Sequence, residues 1–289
     1  MKKHRLPAVL ALMLLAALFT PAVRADFGPK DRLTVYVTNP PEELYYLDLL
    51  YENESGDEVY GNLTEEELAS LNADMLERLR ENIAGLTPAL TVGTRIPTYG
   101  SLEGEADGLR RKHTFSYYGL PQTYRIIIVT ESGSVRISDE YTRRAMQSSI
   151  TYDYETGMAE IPPLWGQYLR QFVWTLVMTL AIEGALLAAF RFSLRENGGV
   201  FLLVNLLTQL VLTAVVGTAL IRSGPLNAYG ALFLCELGVT AAETVAYAFL
   251  LRGQSRGRRI AYGITANLVS WAVSGFCCEL LYTALVRIA

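Results

Sequence analysis

The sequence has little cysteine and little histidine, three of the first and two of the second in 289 residues. Cys235, Cys277 and Cys278 all fall in apolar stretches, so residues 26–163 can form no disulfide. A segment of about 135 residues can build a core without one. The absence of disulfides leans away from vertebrate secreted domains and toward a bacterial envelope. No His/Cys group has the spacing of a zinc site, and no Gly-x-Ser-x-Gly elbow is present. No lysine and no aspartate occur after residue 163. These gaps exclude the common hydrolase and metalloenzyme signatures, and the residues call for no cofactor.

Charge is present but unevenly divided. Residues 1–25 carry four basic groups and no acid, residues 26–163 carry 24 acids against 12 bases, and residues 164–289 carry nine arginines against five glutamates. An acidic middle segment and a basic, apolar remainder argue against nucleic acid as a partner, because the acidic domain repels polyanions. The bland account of the acidic surface is solubility.

Met1–Arg5 (MKKHR) is a basic leader, Leu6–Phe19 is almost continuously apolar, and Val23-Arg24-Ala25 offers small residues at −3 and −1. This reads as a signal peptide over 1–25 with cleavage after Ala25, its apolar core being short for a span.

Residues 26–163 read as an acidic, β-rich extracytoplasmic domain with one amphipathic helix. Leu33–Thr38 alternates as a strand, and Glu43–Tyr51 fits a strand or a short helix. Thr64-Glu-Glu-Glu67 opens a helix with a capping box. Leu68, Leu71, Met75, Leu79 and Ile83 carry that helix to Gly85. His113–Tyr118, Thr123–Thr130, Ser134–Ser138 and Ser149–Tyr154 read as strands, with a hairpin at Glu131-Ser-Gly-Ser134, and two packed sheets fit this pattern. His113, the domain's only histidine, reads as structural. The acids of Asn53–Glu58 lack the ligand period of a calcium loop and read as an acidic turn. The many tyrosines fit strands first and a binding surface second.

Residues 164–289 read as a four-helix transmembrane domain, with spans near 168–190, 200–221, 228–251 and 260–286. Trp165, Tyr168 and Trp174 mark the interface at the first span. With the signal peptide placing residue 26 outside, the first and third connections are cytoplasmic. They hold Arg191, Arg195, Arg252, Arg256, Arg258 and Arg259, against Arg222 alone in the second, which obeys the positive-inside rule. The C-terminus with Arg287 is then outside. The expected location is the plasma membrane, multi-pass, with residues 26–163 and the C-terminus extracytoplasmic.

Each span carries a strongly polar residue: Glu183, Asn205, Glu243 and Asn267, all 7 to 12 Å from the cytoplasmic face at ~1.5 Å per residue. Gln209 continues the Asn205 stripe, and Glu236 with Glu279 forms a second tier nearer the outer face. Thr175, Thr179, Thr213, Gly217, Thr240, Tyr247, Ser270 and Ser274 continue the stripes at helical spacing. The plain reading is interhelical hydrogen bonding. The functional reading is binding of a cation or proton at Glu183 and Glu243, with Glu236 passing it on. An intramembrane enzyme is the remotest reading, since the spans contain no histidine and no aspartate.

Four segments in order carry a resemblance: Ala25-Asp-Phe-Gly-Pro-Lys30, Asn205-Leu-Leu-Thr208, the Glu236/Glu243 pair and Asn267-Leu-Val-Ser270. Together they resemble uncharacterised bacterial envelope proteins with a signal peptide, an extracytoplasmic domain and four transmembrane helices. The resemblance spans most of the chain and implies that layout, with no activity and no site residues. The expectation is a non-enzymatic envelope binding or sensing protein, with the lipid bilayer and an envelope protein or ligand as partners. A small ion- or proton-coupled transporter or channel subunit is the alternative, and that reading calls for a homo-oligomer.

Overall fold

The computed structural model describes residues 29–53, 58–81, 83 and 85–286, with side chains described as far as Cys277. The expected signal peptide, most of the Asn53–Glu58 turn, the Glu279 side chain and Arg287 lie outside the described residues. The chain forms two compact units, one over Lys30–Leu164 and one beginning at Trp165.

The first unit is β-rich. Its elements are β1 (Arg32–Thr38), β2 (Tyr45–Glu52), α1 (Glu65–Ser70), α2 (Ala73–Arg80), β3 (Leu86–Pro88), β4 (Tyr99–Gly100), β5 (Glu105–Asp107), β6 (Arg110–Ser116), β7 (Thr123–Thr130), β8 (Val135–Ile137), β9 (Tyr141–Thr142), β10 (Gln147–Asp153) and β11 (Ala159–Glu160). They build two sheets. One runs β11-β10-β1-β6-β4 with β5 also on β6, and β1 and β10 are parallel within it; the other runs β3-β2-β7-β8 with β9 also on β7.

Burial follows the pleat. In the first sheet Leu33, Val35, Val37, His113, Phe115, Ile150 and Tyr152 are buried, while Thr34, Tyr36 and Thr114 between them are only half-buried. One face therefore meets the core. The second sheet is covered on both faces. Tyr45 of β2 reaches His113 of the first sheet, whereas the hydroxyl of its neighbour Tyr46 accepts from the Asn72 amide at the start of α2. Successive side chains of a strand point to opposite faces, so this sheet lies between the other sheet and the helices. That is why Tyr45–Leu50 and Ile126–Val129 are continuously buried. A run without alternation left β2 ambiguous between strand and helix, and burial on both faces resolves it as a strand.

The single amphipathic helix expected from Thr64 to Gly85 is two helices. Leu71 is extended, and the Asn72 side chain accepts from the amides of Asp74 and Met75, capping a new helix. An asparagine followed by an acid in the next turn is an N-terminal signal, and it outweighs the continuing apolar spacing. The capping box at Thr64 and the turn at Glu131–Ser134 form as the residues imply.

The helical unit comprises α3 (Trp165–Ala189), α4 (Leu194–Leu212), a π turn (Thr213–Gly217), α5 (Thr218–Leu250) and α6 (Arg256–Val286). Among the described residues three helices, not the expected four, are long and apolar enough to cross a membrane: Trp165–Ala189, the run Leu194–Leu250 and Arg256–Cys277. The loop expected at 222–227 is reduced to a kink at Gly224, where two helices abut. The run is broken in direction. Gly224 has φ 78° and ψ −177° and is followed by Pro225, a left-handed residue that glycine tolerates and a proline suited to a helix start. As a straight rod its 57 residues would extend about 86 Å at ~1.5 Å each. Instead Asn205 bonds Tyr247 and Thr208 bonds Glu243 across the break, so the limbs on either side of Gly224 lie against each other. The other two expected connections shorten to 190–193 and 251–255, as helix begins at Leu194 and Arg256.

His113 offers a stability test of the β-rich unit. Its Nδ1 lies 3.3 Å from the Ser101 carbonyl, which can only accept, so Nε2 at 3.0 Å accepts from the Tyr45 hydroxyl. The ring is wholly buried, and desolvation first, then Arg111, holds its pKa down from 6.5 to about 4. The unfolded chain therefore takes up a proton here before the folded one does. The stability this neutral ring confers is complete above about pH 6.5 and drains as pH falls toward about 4, by about 3 kcal/mol at the lower end. Denaturation of wild type and His113→Gln across this range should give a difference that shrinks on acidification. A difference independent of pH contradicts the assignment.

Candidate functional site

Two places in the β-rich unit could attract a chemical reading, and both are satisfied structural groups. His113 uses both ring nitrogens, as described. Asp48 is wholly buried, and its carboxylate accepts from the amides of Leu49, Leu90 and Thr91 and from the Thr91 hydroxyl. Desolvation pushes its pKa up, and those donors pull the other way. Asp48 anchors the Leu90–Thr91 turn and leaves no carboxylate oxygen for a ligand.

The helical unit is different. Gln171, Thr175, Thr179 and Glu183 follow one another at steps of four along α3, so they share a face. Opposite it α4 sets Asn205, Thr208 and Gln209, α5 sets Glu236 and Glu243, and α6 sets Asn267 and Ser270. All except Asn205 line one cavity of about 50 Å³, together with the apolar Leu212, Val216, Leu220, Leu232 and Val239. A few waters fit in such a space.

Its hydrogen bonds run between helices. The Thr208 hydroxyl donates to Glu243 Oε1 at 2.5 Å, and Asn267 Nδ2 donates to Glu243 Oε2 at 3.0 Å. Asn267 also bonds the Gly263 carbonyl one turn back, which fixes its orientation. Asn205 Nδ2 donates to the Tyr247 hydroxyl at 2.8 Å, Gln209 Nε2 to Thr175 Oγ1 at 2.6 Å, and the Tyr262 hydroxyl to the Glu183 carbonyl at 3.3 Å. The pairing is incomplete. Glu183 Oε2, Asn205 Oδ1 and Gln171 Oε1 are buried acceptors without a partner. Glu183 is only 1 % exposed, and Glu243 2 %.

The Gln171 amide is pressed against the π turn. A Cβ on Gly217 would meet Gln171 Oε1 at 2.3 Å, so the bare backbone of the π turn admits this side chain. Thr213 in the same turn also has a buried hydroxyl without a partner. Single π turns recur where a helix is shaped for a site.

Among the described residues no lysine, arginine or histidine lines the cavity, and no cluster of His, Cys, Asp or Glu could hold a metal ion. Glu236 and Glu243 are seven residues apart, about 10 Å along the helix. Three carboxyls spread around a small polar space suit protons and water better than one coordinated metal.

The structure therefore brings Glu183, Gln209, Glu236, Glu243 and Asn267 to one cavity, with Asn205 beside it. Glu236, expected as a separate tier, shares the same space. Gln171, Thr208 and Tyr262 were not singled out from the sequence. Gln171 extends the four-step stripe of Glu183 by one turn, and Thr208 lies three residues from Asn205, so spacing held a signal for both. Tyr262 carried none, because an isolated tyrosine in an apolar helix looks like packing. No family model, curated protein or solved structure matches this chain.

Close helix contact maintains the geometry. A Cβ on Gly263 of α6 would come 2.8 Å from the Thr244 Cα of α5, a backbone atom that can give way only if the helices part. Gly263→Ala should lower the thermal stability of the detergent-solubilised protein, by about 1–3 kcal/mol. Gly238→Ala, where a Cβ meets open space, should be neutral or slightly stabilising. Equal effects at the two positions contradict close packing of α5 on α6.

Proposed function

We propose that this chain is a non-enzymatic, multi-pass membrane protein of the bacterial envelope, with its β-rich domain outside the cytoplasm. Its helical unit takes up protons at the acidic cavity and so gives the protein a sensing role. The observation that carries the proposal is Glu183, a buried carboxyl with an unpartnered oxygen in a cavity of three carboxyls.

A plain anchor has no use for such a group. An ionised carboxylate inside a bilayer costs at least about 3 kcal/mol, and a buried one without its counter-charge is destabilising by several kcal/mol. Interhelical bonding accounts for Glu243, which two donors hold. It leaves one oxygen of Glu183 unmet. A proton on a carboxyl neutralises the charge and supplies the missing donor for a neighbouring acceptor.

In this reading the limbs on either side of Gly224 cross the membrane separately, which makes four crossings. Both ends of the helical unit then lie outside, and six arginines lie on the cytoplasmic side against Arg170, Arg222 and Arg287 toward the other.

A binding role for the outer domain has its own support. Tyr99 and Tyr118 are exposed, and Tyr117 packs edge-on against both. Tyrosine-rich surfaces are common in interfaces. An envelope protein or ligand contacted there would be the second partner beside the bilayer.

Two measurements check this reading. Single cysteines at the exposed positions Ser223 and Ser255, in a background lacking the native three, should label from opposite sides of the membrane, Ser223 from outside. Labelling of both from one side overturns the orientation. After an acid jump, the reconstituted protein should take up measurably more protons than Glu183→Gln, with unchanged circular dichroism. Equal uptake overturns the proton site.

A further inference from the structure

We infer that the acidic cavity exchanges protons with one side of the membrane only, the side of the Gly224 reversal. The end near the cytoplasmic arginines is a closed floor. The inference rests on the proton-binding reading above and specifies the direction in which the site is loaded.

The two ends of the cavity are built differently. Toward the arginines it stops at Glu183, Glu243 and Asn267. One turn further, the rings of Tyr247 and Tyr262 lie 5.2 Å apart, and Phe190 and Phe192 pack on Tyr262 at 5.8 and 5.6 Å. Tyr247 and Tyr262 are fully buried and tied to neighbouring helices through Asn205 and the Glu183 carbonyl. Below them, buried Asn197 clamps the connection between α5 and α6. It accepts from the Arg252 amide at 2.7 Å and donates to the Ser193 and Arg252 carbonyls at 3.0 and 3.4 Å. Aromatic packing and hydrogen bonds across four helical segments thus seal this end.

Toward Gly224 the cavity runs on, with Leu220 and Leu232 in its lining, about 6 and 12 Å of helix from the reversal. The buried cover there is aliphatic, Val216, Leu220, Ala228 and Leu232, with Tyr229 and Trp271 half-buried at its edge. The backbone is irregular, with the π turn on one side and Gly224–Pro225 on the other. The Tyr168 hydroxyl of α3 bonds Thr218 across this end at 3.0 Å. Small aliphatic side chains on irregular backbone part more readily than a bonded aromatic layer.

The titratable groups around the cavity are Glu183 from α3, Glu236, Glu243 and Tyr247 from α5, and Tyr262 from α6; α4 faces it with amides and hydroxyls, and Cys235 adjoins Glu236 in the aliphatic cover. Glu236 lies nearest the open end and Glu183 and Glu243 at the floor. Hydronium reaching Glu236 gives its proton to a carboxylate oxygen and leaves as water. The neutral acid can pass the proton inward through water to Glu183, regenerating the Glu236 carboxylate. With the floor closed the proton returns by the same route, so occupancy reports the pH of one compartment. That is the behaviour of a sensor and not of a conduit.

The test uses the full-length protein in vesicles whose orientation is set by labelling a Ser223→Cys variant. A membrane-permeant carbodiimide, which modifies protonated carboxyls in apolar surroundings, is added while pH is varied on one side at a time. Modification at Glu236 and Glu183, read by mass spectrometry, should rise several-fold when the Gly224 side is acidified and stay constant when the arginine side is. Glu236→Gln should slow the response at Glu183. Modification that follows the arginine side, or both sides equally, overturns one-sided access and leaves the proton site standing. Modification that follows neither side overturns the proton site itself.

Discussion

A carboxylate enclosed among apolar helices needs a donor, a counter-charge or a proton. Glu243 has two donors, Thr208 and Asn267, supplied by the helices on either side. Glu183 has an oxygen that no donor meets, and no basic side chain lines the space it shares with Glu236 and Glu243. The remaining features of the bundle sustain this arrangement. The Gly224 reversal lays Glu243 against Thr208, the bare backbone at Gly217 admits Gln171, and Gly263 lets α6 bring Asn267 close to α5.

The two units treat buried polar groups in opposite ways. In the β-rich unit every one that looked chemical is fully paired, with four donors on Asp48 and both nitrogens of His113 in use. Such networks rigidify a fold and fix its register. In the helical unit the acceptors of Gln171, Asn205 and Glu183 are unmet. Unsatisfied buried groups mark the places where a structure does something other than hold together. The unit with the conventional look of a binding domain has its buried polar groups paired, and the unmet acceptors lie in the helical unit.

Much of this was legible from spacing. Alternation located β1, and β-branched runs located β7 and β10. Steps of three and four placed Glu183, Gln209, Glu243 and Asn267 on inward faces, and the cavity lies where those faces meet. What spacing could not reveal was tertiary or conformational. Asn72 ends one helix by capping the next, although the apolar period continues through it. Arg222–Asn227 reads as a loop because it holds arginine, glycine and proline, yet a single glycine with positive φ turns the chain between two abutting helices. The short strands β3, β4, β5, β9 and β11 have two or three residues each, too few for any period to register. The aromatic floor is invisible because Tyr247, Tyr262 and Phe192 come from three separate segments.

The central claim is that a buried carboxyl at Glu183 carries a proton. Infrared difference spectroscopy of the reconstituted protein after a pH step observes this directly, through the C=O stretch of a protonated carboxylic acid. The account predicts a band at the position of an acid in apolar surroundings, shifted by deuterium and missing from Glu183→Gln. A spectrum with carboxylate bands alone, unchanged by that substitution, would contradict it.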